Sequence, residues 1–377
     1  MKKLSRKQRK IDVKIGLMHR QGRSKTKNGH NNNNGSGFSG SDVNNWINHY
    51  KYNGLNISLN NNRVTIILPE RLNFFHDYES TVLHLNAIRK LTKNKAPSHK
   101  AYKLGSVNFD DLKSISTSAA LVLTAELSKW DDAVRNRLKP KVENWDPNIL
   151  FNFYELGFFD LFKNKPSNIE QLKSATTPNK RIVKYIKGKC GDDQKTRVLK
   201  ENITNIIGDN INKWMFLHSG LSEAIVNVSH HAYPERLGLS EVDKNWYITG
   251  SYNTFTRELK VVFYDQGIGI PKSLPASDVW EKVLSFLSSL SIAERKRDEV
   301  LLKAAVELDR TSTGESDRGK GLQDLLEFIR QRGDGYLSIL SLKGLFKLEV
   351  KNGIESIKSE HFNYPVCGTL IIWCVTV

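Results

Sequence analysis

Residues 221–233 read LSEAIVNVSHHAY, residues 261–271 read VVFYDQGIGIP, and residues 317–322 read DRGKGL. In the first stretch Glu223, Asn227 and His231 stand at i, i+4 and i+8. An α-helix advances about 40° per such step, so the spacing predicts acid, amide and imidazole along one helix face. In the second stretch the apolar run 259–264 ends at Asp265 and breaks into Gly267 and Gly269. That predicts a strand with one carboxylate at its tip, followed by backbone able to take positive φ and approach a ligand closely. Gly319, Lys320 and Gly321 open a further helix, where N–H groups and the positive dipole end favour phosphate. An acid, an amide, a recognition carboxylate and a glycine-rich phosphate seat together predict a nucleotide site.

Around these stretches the periodicity predicts a long helix from Val198 through Trp214 and Leu217 into Glu223. It also predicts strands at 246–251 and 259–264, helices at 278–308 and 322–332, and strands at 336–341, 346–351 and 369–377. Residues 198–377 are therefore expected to form an α+β two-layer sandwich with helices on one face of a sheet. Upstream, residues 46–165 alternate. A β-branched strand at 63–68 is followed by a helix at 78–91, a strand and turn at 108–118 and a helix at 119–130. NWDPNILFNFYELGFFDLF (144–162) reads as a short helix broken at Gly157. Such alternation predicts an α/β domain. The Lys-, Asn- and Pro-rich residues 166–197 read as a linker.

The chain of 377 residues, 39% hydrophobic and 26% charged, has room for two cores and a tail. No apolar run approaches the roughly 18–20 residues of a membrane span, and MKKLSRKQRK has no apolar signal region. Cys190, Cys367 and Cys374 form neither a metal pair nor a disulfide framework, so a cytoplasmic protein is expected. The net charge of +17 is uneven: eleven Lys and Arg precede Gly29 against Asp12 alone. Residues 1–45 are expected to be a basic, flexible tail that includes GHNNNNGSGFSGS (29–41). That tail either binds nucleic acid by counterion release or is simply solvated; no aromatics interleave to stack on bases.

The boxes quoted above resemble those of the GHKL ATPases, which include gyrase, heat-shock chaperone ATPases, sensor histidine kinases and mismatch-repair proteins. The resemblance covers residues 198–377 and implies the Bergerat ATP-binding fold. It assigns Mg²⁺ to Asn227, the general base to Glu223 and the adenine amino group to Asp265. Gly267 and Gly269 would pass close to the base, Gly319, Lys320 and Gly321 would hold phosphate, and Thr369 would lie on the closing strand. Residues 271–318 would be the lid over ATP, offering Thr311, Ser312, Thr313 and Arg318 to the phosphates. A rival pattern, G-x-x-x-x-G-K at 314–320, lacks the hydroxyl a P-loop needs, because Gly321 follows, and no buried strand precedes it.

Residues 63–162 resemble, more loosely, a STAS domain, the fold of anti-sigma-factor antagonists. Ile115 to Ala119 lie where that family carries an Asp-Ser-Ser-Gly turn, with Ser116 replacing the Asp and Ala119 the Gly. Ser118 then falls at the phospho-acceptor position; the alternative is that Ser116, Thr117 and Ser118 cap the following helix. A sensor kinase would need a phospho-histidine hairpin upstream, and His84 lacks that context. Three functions follow. ATP binding or slow hydrolysis could switch the STAS-like domain's contacts with a protein partner. The chain could be a serine/threonine kinase of the anti-sigma type. It could be a nucleic-acid-associated ATPase, as in a phage-defence module, working through its tail. A homodimer is compatible with each.

Overall fold

The structure is a computed structural model. It describes residues 40–93, 100–137, 141–163, 165, 179–189, 191–192, 194–235, 244–277, 280–309 and 321–377. The first half runs α1 (Gly40–Lys51), β1 (Ile57–Asn60), β2 (Arg63–Ile67), β3 (Arg71–Leu72), α2 (Tyr78–Lys93), β4 (Lys103–Asn108), β5 (Ser114–Ile115), α3 (Thr117–Ser128) and α4 (Pro147–Leu156). The second runs β6 (Lys180–Ile182), β7 (Ile186–Lys189), α5 (Lys195–Ile207), α6 (Trp214–Asn227), β8 (Asn245–Asn253) and β9 (Glu258–Asp265). It continues with α7 (Trp280–Leu287), α8 (Asp298–Asp309), α9 (Gly321–Arg332), β10 (Gly335–Lys351) and β11 (Ile354–Thr376).

The second half is built on an antiparallel sheet in the order β10-β11-β9-β8-β6, with β7 also paired to β8. Alternate side chains of a strand point to opposite faces. Val261, Phe263, Ile371 and Trp373 therefore join Leu221, Ile225 and Leu325 of α6 and α9 on one side. Val262, Tyr264, Leu370 and Ile372 join Val82 and Val122 of α2 and α3 on the other. The expected two-layer sandwich thus gains a third layer, because the first half covers the sheet's far face. That half contributes two smaller sheets, β1-β2-β4 and β3-β5, in which β2/β4 and β3/β5 are parallel.

Local chemistry sets several boundaries where the sequence places them. Ser116 caps α3, accepting from the Ala119 N–H at 3.1 Å. Asp146 caps α4, whose first residue is Pro147, and Gly157 ends it in the left-handed region at φ 82°. Other expectations need correction. The predicted linker 166–197 contains β6 and β7, and α1 begins inside the predicted tail 1–45; residues 1–39 lie outside the described residues. One long helix into Glu223 is two, since Gly208 closes α5 at φ 82°. Similarly, 278–308 divides into α7 and α8. Strands 336–341 and 346–351 are one strand, β10, bulged between Ser341 and Gly344. It returns as β11 through Asn352-Gly353, both at positive φ, the geometry of a two-residue hairpin turn. Among the described residues no helix is long and apolar enough to cross a membrane.

Candidate functional site

Helix α6 carries Glu223 and Asn227 one turn apart, both half-buried. The Asn227 Nδ2 donates to Glu223 Oε1 at 2.7 Å. This hydrogen bond holds the carboxylate and turns the amide oxygen into the end of Asn227 left to accept or to ligate a cation. After Asn227 the helix widens into a π turn, Val228–Ala232. Such turns often re-aim side chains at functional sites. Here the turn keeps His231 on the cavity wall while His230 is exposed. The Ala232 carbonyl accepts from the Ile268 N–H at 2.9 Å, and the Tyr233 hydroxyl accepts from the Gln266 N–H at 3.0 Å. The end of α6 is thereby tied to the loop that follows Asp265.

Asp265 ends β9, flanked in register by Trp246 of β8 and Thr369 of β11. It is 3% exposed. Its Oδ1 accepts from the Gly267 N–H at 2.7 Å, and the Thr369 side chain supplies a further hydrogen bond. Burial pushes its pKa up to about 6, opposed by those hydrogen bonds and by Lys129. Thr369 in turn lies 3.3 Å, Oγ1 to Oγ, from Ser341, which accepts from the Ile270 N–H at 2.9 Å. Ser341, wholly buried, is a positioning residue with no signal of its own in the sequence, since Ser338 of the same strand is equally buried.

The glycines after Asp265 are also required by close packing against neighbouring protein. A Cβ on Gly267 would stand 2.5 Å from the Ala232 carbonyl oxygen, and one on Gly269 would stand 2.8 Å from Ser341 Oγ, at φ 82°. Both positions admit neighbouring protein at distances that a side chain would not allow. Gly269 nonetheless lines the cavity.

That cavity, about 220 Å³, brings together Glu223, Asn227, His231, Asp265, Gly269 and Thr369 from separate elements. Phe263, Ile270, Leu274, Leu322 and Ile371 form its apolar surface. Ser273 and Ser277, from a segment the sequence assigns only to a lid, also line it. Helix α9 starts at Gly321, and its Leu322 and Leu325 are in the wall. Thr311, Ser312, Thr313, Arg318, Gly319 and Lys320 lie outside the described residues. Among the described residues no group of three His, Cys, Asp or Glu side chains could hold a metal. The donor set here, one amide oxygen beside one carboxylate, fits Mg²⁺, which takes most of its ligands from phosphate and water.

The residue after Asp265 reaches into the first half. Gln266 Nε2 donates to Glu126 Oε1 of α3 at 2.6 Å, and Glu126 also accepts from Arg89 Nε of α2 at 3.0 Å. Arg89 donates to the Tyr264 hydroxyl at 3.4 Å. Arg89 is the buried cation that neutralises Glu126, and together they join α2, α3 and the tip of β9. No family model, no curated protein and no solved structure matches the chain.

Proposed function

We propose that residues 198–377 are a GHKL-type ATP-binding unit of the Bergerat fold in a cytoplasmic regulatory protein. Mg-ATP binding, with slow hydrolysis, would alter what the STAS-like first half offers to a protein partner. One observation carries this reading: Glu223 and Asn227, Asp265 and Gly269, and Thr369, from three separate stretches of the chain, line one cavity.

The roles follow from the chemistry. The apolar wall takes the face of adenine, and the Asp265 carboxylate accepts its amino group. With a pKa of about 6 that carboxylate is ionised at neutral pH. Thr369 and the Gly267 N–H keep it oriented. Asn227 Oδ1 would ligate Mg²⁺, which when bound neutralises the phosphate charge. Glu223, held by Asn227, takes a proton from the water whose oxygen bonds to the terminal phosphorus. The bond from that phosphorus to the bridging oxygen breaks, leaving ADP and phosphate. The Gln266–Glu126–Arg89 connection supports the idea that the first half responds to what Asp265 holds. Ser118 is 4% exposed and lines a cavity on the opposite face of the sheet from Glu223, which argues against transfer to it within one chain. The lysines and arginines of the tail, all before Gly29, lie outside the described residues, so the nucleic-acid alternative gains no support.

Turnover tests the assignment. Free phosphate release from Mg-ATP should fall at least about a hundredfold in Glu223→Gln while nucleotide binding persists. Equal turnover in the two proteins would remove Glu223 from the role of base.

A further inference from the structure

A second cavity, about 490 Å³, lies between the first half and the far face of the six-stranded sheet. Val262 and Ile372 line it, whereas the neighbouring Phe263 and Ile371 line the Asp265 cavity, so the two sites share strands and lie on opposite faces. Lys180, Lys260 and Lys347 border it against Glu258 as the lone acid in the lining. Lys260 is drawn to Glu258, and Lys347 pairs with Glu349 at 3.0 Å while lying 4.6 Å over the Tyr336 ring. Among the described residues the Lys180 ammonium makes one long hydrogen bond, 3.5 Å, to the Ile115 carbonyl. Among the described residues no carboxylate lies within ion-pair distance of it. Burial and the adjacent Lys260 hold its ammonium down to about 8. Glu258 and Glu155 offset only part of that penalty, so a further anion beside this cation would be favourable.

The opposite wall is complementary. Ser116 and Ser118, at the start of α3, lie 3.1 Å apart, Oγ to Oγ, and Ser116 Oγ already accepts from the Ala119 N–H. Whichever hydroxyl donates to the other, one hydroxyl hydrogen of the pair remains for an external acceptor. The helix dipole adds positive potential at the same end. Phe75 and Tyr336, edge to face at 5.8 Å, supply an aromatic corner.

We propose that this cavity binds a phosphate-bearing small molecule. Its anion lies between Lys180, Lys260 and the Ser116–Ser118 hydroxyls, and its apolar portion rests against Phe75 and Tyr336. Such a ligand would touch both halves of the protein and clamp the first half to the sheet. The inference is independent of the ATP assignment.

The test is calorimetric titration of the full chain with phenyl phosphate and, in parallel, inorganic phosphate, without magnesium. One saturable site for phenyl phosphate is expected, about threefold to tenfold tighter than for inorganic phosphate because of the aromatic contact. Lys180→Met should weaken it at least about tenfold, Lys347→Met by less, and Asp265→Asn not at all. Near-ultraviolet circular dichroism establishes that each variant is folded; should Lys180→Met not fold, Ser118→Ala and Lys347→Met together carry the comparison. Absence of saturable uptake by the wild type overturns the proposal, as does equal affinity in the cavity variants or a loss confined to Asp265→Asn. Equal affinity for the two probes overturns the aromatic half of the assignment.

Discussion

Replacing the Asp265 carboxylate by an amide, Asp265→Asn, should stabilise the fold at neutral pH while removing the carboxylate proposed to accept the adenine amino group. The carboxyl is almost fully buried, and its pKa rises from 3.8 to about 6, chiefly through desolvation. A rise of roughly two units corresponds to about 3 kcal/mol. The sign follows from proton binding. The folded state holds this proton more tightly than the unfolded state, so stability is lost as pH rises from about 4 to 6. Above that range the whole cost is present. The amide oxygen introduced by Asp265→Asn would still accept from the Gly267 N–H, while its NH2 end only donates, so the Thr369 hydroxyl must turn to accept from it. Its hydrogen bonds would lack the help of charge, a loss of about 1 kcal/mol. The net expectation is a gain of about 2 kcal/mol near pH 7.5. Urea unfolding of both proteins at about pH 7.5 and about pH 4.5 measures it, since all other titrations cancel in the difference. The gap should be present at the higher pH and close at the lower. A variant less stable than the wild type at the higher pH, or a gap that does not change with pH, would refute the reasoning.

Arg89→Met should cost about 3–5 kcal/mol, since it leaves Glu126 buried without its cation; urea midpoints read this, and Arg89→Met with Glu126→Gln should recover much of it. Gly267→Ala should cost about 1–3 kcal/mol and weaken nucleotide binding, because its methyl must push against the Ala232 backbone that ties α6 to the Asp265 loop. An unchanged melting temperature in that variant would contradict the close approach.

The parts of the fold governed by local chemistry were legible. Asp265 ends its strand where an apolar run meets glycines, Ser116 caps α3, and Gly157 ends α4. The convergence of Glu223, Asn227 and Asp265 was also legible, through spacing and order along the chain. What escaped depends on long-range partners. Residues 180–182 and 186–189 are short and rich in lysine, and they become strands only because β8 offers an edge. Gly188 marks that edge, since a Cβ there would stand 2.0 Å from the Trp246 ring. The third layer was hidden because Val261, Val262, Phe263 and Tyr264 read as one apolar run, whereas they serve two cores on alternate faces. Periodicity alone cannot divide such a run. The π turn after Asn227 has no sequence signature either, and it moves His231 off the ideal helical face while keeping it at the cavity.

The cavity bounded by α6 and the ends of β9 and β11 is proposed to take Mg-ATP. Isothermal titration of Mg-ATP into the full chain tests it most directly. One nucleotide per chain is expected, with binding weakened at least about tenfold in Asn227→Ala and in Asp265→Asn. A folded wild-type protein that takes up no Mg-ATP, or variants lacking the Asn227 amide or the Asp265 carboxylate that bind it equally well, would contradict it.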